Sequence, residues 1–402
     1  MTVESQHKSP LDAATCLSVE VIRGPNALIE LRPLWNSLLQ QSDANTIFLT
    51  WEWLDAWWNA YGSTFDLIVL KCSATDGQVV GLAPFFRVRE SIGLRISGYS
   101  LHLLGDVTGG SEKLDWIIRN GWEGLAVGSI LDWLETASLA WDIYFYETVR
   151  PDSKVANIVS SECEKRGWFK LRGERSTYRV PVAASWDEYL NSLSKKMRSG
   201  IQQQVRRANR TFAVCARRCE SPEQLETDLQ TLFALHAKRW QERGKTGNLF
   251  QADKQLFYRD LAKGCLANDW LEFWILEFDG KPVACEFGFC YDGVYSFLQG
   301  GFDPEFGVYS VGVVLRASIM QSVIARGFRL YDFLLGEDDY KERWGGQKYP
   351  LADYAYARPN SKGHRVMVAK KHVKQAVSWV RARAPKPLWA IAKRAGRLFL
   401  PK

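Results

Sequence analysis

Apolar residues recur at helical spacing between residues 27 and 40, where Leu28, Leu31, Leu34, Trp35 and Leu38 fall on one stripe, and this predicts an amphipathic helix. A strand over 17–22 precedes it. A second helix carries Trp51, Trp53, Leu54, Trp57 and Trp58 and stops at Gly62, where a helix-ending glycine is expected. The pattern then switches to two β-rich runs joined across Asp76-Gly77, a dipeptide that tolerates positive φ, so a hairpin is predicted. Strand-like runs at 101–104 and 141–146 alternate with helical ones at 123–138 and 153–166.

The same grammar returns in the second half. The helix PEQLETDLQTLFALHAKRWQERG has Trp240 four residues before Gly244, as Trp58 stands four before Gly62. A second hairpin turns at Asp279-Gly280. Then follow VYSFLQGGFD (strand), PEFGVYSVG (loop), VVLRASIMQSVIARG (helix), FRLYDFLLG (strand), EDDYKERWG (short helix) and LADYAYARP (strand). The ordered correspondence supports an internal duplication. Alternating strands and helices predict an α/β fold with mixed sheets flanked by helices, and a ligand where strands end and loops open.

Length agrees with two units: 402 residues exceed one ordinary core. The net charge of +7 is uneven, because residues 361–402 hold twelve Lys or Arg and no Asp or Glu, leaving 40 basic against 45 acidic residues before them. The polar start MTVESQHKSPLDAAT has no apolar core of the signal-peptide kind, and no run approaches the roughly 20 apolar residues of a bilayer span, so a cytoplasmic protein is expected. Eight scattered Cys without CxxC pairs speak against structural zinc, and no metal is expected. His102 and His236 lack a nucleophile-elbow Ser or Cys, which excludes a hydrolase triad.

Five segments, TWEWLDAWWNAYG, SLSKKMRSGIQQQVRRANR, LHAKRWQERG, GGFDPEFGVYSVGVVL and YDFLLGEDDYKERWG, together resemble the CelD/BcsL-like branch of the GNAT acyltransferases, related to the FemABX-like transferases with tandem GNAT-like domains. The resemblance spans about residues 17–358. It implies a disordered tail at 1–15, an N-terminal GNAT-like domain at 16–180, a C-terminal GNAT acetyltransferase domain at 181–358 and a basic amphipathic tail at 359–402. It also implies transfer of an acetyl or other acyl group from acyl-CoA to an amine or hydroxyl, often in polysaccharide synthesis. In that family a glycine-rich turn cradles the CoA pyrophosphate. This chain offers Tyr309-Ser310-Val311-Gly312-Val313, where backbone N–H groups at a helix start can hold phosphate and Ser310 is the expected cap.

Acyl transfer needs a base for the acceptor and an acid for the thiolate. Glu286 is a lone carboxylate on an apolar strand, and a buried unpaired charge is costly unless it works. Asp332, inside LYDFL, is the second candidate base. Tyr340 is the candidate acid. Lys341 and Arg343 beside Trp344 suit a sugar or diphosphate-linked acceptor. The amphipathic run 195–210 presents a basic face that includes Arg198, and Trp240 lies near the end of the signature helix that follows it; both are assigned to the acceptor side. Nucleic acid is not an expected partner. Alternating basic and apolar residues at 365–399 suit an anionic membrane face, so a peripheral location is expected. Two other readings stay open: aminoacyl transfer from charged tRNA, and a catalytically degenerate GNAT scaffold in a polysaccharide-synthesis complex.

Overall fold

The computed structural model describes residues 16–383, apart from 25, 94–95, 137, 243, 245–246, 248 and 337. The expected tail at 1–15 and the end of the basic tail, 384–402, lie outside the described residues. In chain order the first unit is β1 (Ser18–Arg23), α1 (Ala27–Gln40), α2 (Trp51–Tyr61), β2 (Asp66–Ser73), β3 (Val79–Gly93), β4 (Ile96–Leu103), β5 (Ile117–Ile118), α3 (Glu123–Thr136), β6 (Ile143–Val149), α4 (Lys154–Lys165) and β7 (Phe169–Pro181). After α5 (Trp186–Ser192) and α6 (Lys195–Thr211) comes β8 (Val214–Arg218), α7 (Pro222–Glu242), α8 (Ala252–Ala267), β9 (Leu271–Phe278), β10 (Lys281–Tyr291), β11 (Val294–Phe302), α9 (Val311–Ala325), β12 (Leu330–Leu335), α10 (Asp339–Arg343) and β13 (Gln347–Ala357). The helix α11 (Lys362–Arg383) follows.

Apart from the short β5, which the first unit adds on β3, the two series match. Each runs strand, two helices, three antiparallel strands, a helix, and a strand parallel to the third of those strands. Thus β4 pairs parallel with β6 across α3, and β11 pairs parallel with β12 across α9. The duplication is therefore present, but its register differs from the expected one. The partner of α7 is α1, and α2 corresponds to α8, a helix the hydrophobic pattern had not announced. The Trp–Gly spacing misled because the two glycines do different work. At Gly62 a Cβ would lie 2.4 Å from the Trp58 ring, whereas Gly244 is a left-handed residue at φ +63° with open space beside it.

One mixed sheet of thirteen strands carries both units, in the order β1-β2-β3-β4-β6-β13-β7-β12-β11-β10-β9-β8, with β5 on β3. The last strands have changed places. The unit that ends in β7 receives β13 beside β6, and the unit that ends in β13 receives β7 beside β12. The exchanged pair β7 and β13 runs antiparallel over eleven residue pairs, from Gln347 with Arg179 to Ala357 with Phe169.

The helices cover both faces because each presents an apolar stripe. Leu28, Leu31, Trp35, Leu38 and Leu39 of α1 are buried, and Thr50 caps α2 by accepting from the Trp53 N–H. Helices α2 and α8 pack on each other, with Trp53 edge-on to Phe257 at 5.6 Å and to Phe289 at 5.3 Å. One core thus joins the two units. On the opposite face of the second unit, α9 buries Val311, Val314, Leu315, Ile319, Met320 and Val323. The start of the expected basic tail docks on the body: Val366 and Met367 of α11 are buried against Ile92, Ile143 and Ala357.

Candidate active site

Strands β11 and β12 part company early. They pair at Val294–Leu330, Tyr295–Tyr331 and Ser296–Asp332, and no further. Beyond that point β11 bulges: Phe287 faces Gln299 and Gly288 faces Phe297, so Leu298 is an extra residue without a register partner. Strand β12 is irregular as well. Its register on β7 shifts between Asp332 and Leu335, and Leu334 takes φ +56°, a strained conformation for a bulky side chain. The result is a notch in the sheet that opens toward the N-terminus of α9.

Side chains alternate across a strand, so the parting residues look to opposite faces. On the α9 side lies a cavity of about 290 Å³ lined by Arg239, Phe297, Phe302, Arg316, Tyr340, Trp344 and the turn at Ser310–Val313. The structure therefore brings together four of the five residues expected to hold the donor, together with Tyr340 and Trp344. Tyr309, the fifth, packs edge-on to Phe212 at 4.9 Å with the Arg207 guanidinium 4.9 Å above its ring. Ser310 does not cap α9 with its side chain. It is left-handed (φ +50°, ψ +49°), and its carbonyl instead accepts from the N–H groups of Val313 and Val314 at 2.7 and 3.2 Å. The earliest N–H groups of α9 keep no intrahelical acceptor, which leaves the positive end of a fifteen-residue helix facing the cavity.

Arg316 is the residue that pattern reading missed here. It sits on α9, and its guanidinium lies 4.8 Å from the Phe297 ring, 5.3 Å from Phe333, 5.1 Å from Tyr340 and 5.8 Å from Trp344. The signal was present as the one charged residue of a predominantly apolar helix. Its Nη2 donates to Glu286 Oε2 at 2.8 Å. Glu286 is 3% exposed, and its other oxygen accepts from the hydroxyls of Tyr331 at 2.5 Å and Tyr295 at 3.2 Å. The carboxylate is thus buried on β10 with both oxygens paired, the condition under which a buried charge is tolerated. Burial, with Glu286 and Asp338 nearby, pushes the Tyr340 phenol up against the opposing pull of Arg316, so the phenol stays protonated at neutral pH.

Asp332 is fully buried and accepts from four donors: Lys113 Nζ at 2.6 Å, Thr177 Oγ1 at 2.8 Å, the Leu334 N–H at 2.9 Å and Arg179 Nε at 3.2 Å. Burial pushes its carboxyl up, but Lys113, Arg179 and these hydrogen bonds outweigh burial and hold it below the usual range. Lys113 belongs to a loop of the first unit that reaches across the notch. A Cβ on Gly110 would lie 2.8 Å from Leu298 of β11, and Glu112 Oε1 accepts from the Leu335 N–H of β12. Burial is the main force that raises the Glu112 carboxyl to about 7, with Asp332 adding to it and Lys113 opposing. No sequence motif marked Glu112 or Lys113, since their site exists only where the two units meet.

The acceptor-side assignments divide. Lys341 does not reach outward: it is 2% exposed and its ammonium donates to the carbonyls of Leu334 and Leu335 at 2.8 and 2.7 Å, pinning the strained end of β12. Burial lowers its pKa, against the pull of Asp338, Glu112 and Asp332. Arg343 is exposed and lines a separate open depression with Ser192, Leu193 and Ser194. Arg198 stands near that depression, bound to Asn191 at 2.6 Å. Trp240 donates from Nε1 to His236 Nε2 at 2.8 Å, while its neighbour Arg239 is the one that lines the cavity. Among the described residues no group of three metal-binding side chains gathers.

Residues 195–342 match the family model of the acetyltransferase (GNAT) domain. The protein carries a GNAT domain. It is thereby an acyltransferase, and the notch between β11 and β12 lies inside that domain. Among solved structures the whole fold is similar to that of FemX, at 11% identity, with a TM-score of 0.58 over 81% of this chain and 96% of the other. A conserved protein of unknown function from Bacteroides thetaiotaomicron is similar at 11% identity and a TM-score of 0.51, over 81% and 97% of the two chains. Both likenesses concern the fold alone. No curated protein matches the sequence. None of these similarities singles out the CelD/BcsL-like branch. Among the described residues no helix is long and apolar enough to cross a membrane.

Proposed function

We propose that the protein transfers an acyl group, acetyl in the simplest case, from acyl-CoA to an amino or hydroxyl group of a cell-envelope or exopolysaccharide sugar or its lipid-linked precursor. The observation that carries this reading is the sheet notch opening directly onto the N-terminus of α9 through a cavity walled by aromatic rings and Arg316. The pyrophosphate of the donor is held by the first N–H groups of α9, at Val311 and Gly312, and the basic face of α6 lies alongside, where Arg207 already donates to the Val308 carbonyl at 3.0 Å. The acyl chain points into the notch.

In the reaction the acceptor nitrogen or oxygen attacks the thioester carbonyl, the acceptor proton is removed, and the C–S bond breaks to release thiolate. Tyr340 supplies the proton that converts the thiolate to a thiol. Asp332 is the proposed base because it stands where the strands part and is kept ionised, the form a base must have. Glu286 is assigned to positioning: with both oxygens engaged, it fixes Arg316 against the cavity wall. The basic residues after Ser361 are proposed to hold the enzyme near an anionic membrane where a lipid-linked acceptor lies.

Isothermal titration with acetyl-CoA is expected to show one site per chain, and absence of heat across a series of acyl-CoAs rejects the donor assignment. Asp332→Asn is expected to lower kcat by about 100-fold or more with the acetyl-CoA Kd unchanged. A variant that stays folded and keeps full turnover removes Asp332 from the mechanism.

A further inference from the structure

A second cavity, of about 510 Å³, lies on the other face of the sheet at the same parting point. Ser296 and Asp332 line it, whereas the next residue along β11, Phe297, lines the α9 cavity. The two spaces therefore approach the notch from opposite sides. This second space falls between the two units: its walls come from the loop after α1, from the start of α4, and from the starts of β11 and β12. Its size suits a small-molecule ligand.

Its chemistry is unlike that of the α9 side. Five cations line it, Lys113, Arg150, Lys154, Arg179 and Arg329, against three lining carboxylates, Asp43, Asp292 and Asp332, while Glu112 lies 3.7 Å from Lys113 and Asp152 3.8 Å from Arg150 outside the lining. The carboxylates use only part of the cationic surface. Arg150 gives Nη2 to Asp43 at 2.9 Å, and Arg329 gives Nη2 to Asp292 at 3.0 Å. The Arg179 guanidinium sits over the Tyr349 ring, 3.5 Å from its centroid, and its Nε donates to Asp332 at 3.2 Å, so it is held from two sides. Lys154 is exposed at the first position of α4, next to the Ser153 cap. Fixed guanidiniums with spare N–H groups, joined by a lysine at a helix start, match the oxygens of a phosphate or diphosphate.

We propose that this cavity binds a phosphate or diphosphate carried by the acceptor, and so presents the acceptor's sugar to the notch from the face opposite the donor. The proposal rests on the acyl-transfer reading for its role in catalysis, but the anion site itself can be tested without it. Anion binding at this face charges a cavity that already holds Lys113 and Asp332 at its inner end, within three residues of the strained Leu334.

The probe is inorganic pyrophosphate, titrated into the full chain with and without saturating desulfo-CoA. Because pyrophosphate can also reach the α9 N-terminus, binding that persists at saturating desulfo-CoA is the expected result. The double variant Lys154→Glu with Arg329→Glu, both at exposed positions, is expected to weaken that residual binding at least tenfold while acetyl-CoA binding stays within twofold. Lys154→Ala alone is the milder check, with an expected loss of several-fold. Complete displacement of pyrophosphate by desulfo-CoA, or undiminished binding in a folded double variant, overturns the proposal. Tighter binding of UDP than of pyrophosphate supports a nucleotide-linked acceptor. Retention on vesicles containing an isoprenyl phosphate, lost in the double variant, supports a lipid-linked one. A protein that binds pyrophosphate here but no acyl-CoA keeps the anion site and loses the donor assignment, so the two failures are separable.

Discussion

At the scale of single residues, the notch is governed by buried charges whose partners come from distant parts of the chain. Replacing Glu286 with Gln removes the charge that balances Arg316, 12% exposed on its side chain, and a buried ion pair broken on one side typically costs about 3–5 kcal/mol. That loss should appear as a lower denaturant midpoint with an unchanged m-value. Glu112 gives a pH-dependent counterpart. Its carboxyl ordinarily loses its proton near the common carboxylate range, but in the folded protein it does so only near pH 7. Between those limits the folded chain binds the extra proton, so stability contributed through this group falls as pH rises toward 7 and is lowest above it. Glu112→Gln is expected to reduce the drop in Tm between pH 5 and pH 8; an identical drop in wild type and variant rejects a raised Glu112 pKa. How much of this was legible is instructive. Lone carboxylates in apolar strands flagged Glu286 and Asp332 as unusual, and both are engaged in buried networks. The sequence could not reveal Lys113, 219 positions from Asp332, because the contact depends on tertiary assembly.

At the scale of elements, periodicity located the helices and hairpins well. The predicted helix at 27–40 is α1 residue for residue, and both Asp-Gly hairpins are present. Pattern reading failed where a strand is mostly polar and only partly buried, as along β7, of which only Thr177, Tyr178 and Val180 are buried, or where tertiary packing supports a helix with a weak stripe, as in α8. It also took Lys341 for an outward cation, since a five-residue helix has no face that a pattern can define. One element contact has a steric consequence. A Cβ at Gly301 of β11 would stand 2.5 Å from the His236 nitrogen and 2.7 Å from the Leu235 carbonyl carbon, both backbone atoms of α7. Gly301→Ala must therefore lift α7 from the sheet. A destabilisation of about 1–3 kcal/mol is expected, accompanied by weaker acetyl-CoA binding because Arg239 and Phe302 line the cavity proposed for the donor.

At the scale of the whole molecule, two units were readable from the repeated order of strands and helices, but their exchange of final strands was not. No local signal distinguishes a strand that pairs within its own unit from one that crosses over, because both present the same alternating side chains. The exchange makes each unit incomplete alone. Residues 181–358 expressed separately lack β7 beside both β12 and β13, and they should remain unfolded or aggregate. Mixing them with residues 1–180 should restore a folded, non-covalent pair. A well-dispersed amide spectrum from either fragment alone would contradict this.

The position of β13 also bears on how the chain is made. Synthesis delivers β1 to β6 long before Gln347–Ala357 leaves the ribosome, so the edge of β6 waits unpaired through roughly half of translation. Strand β7 can reach the ribosome exit with its own unit, yet its native neighbours β12 and β13 are both late. A nascent chain of this protein is thus expected to depend on holding chaperones, and to gain protease resistance abruptly once β13 has emerged rather than when the first unit is complete.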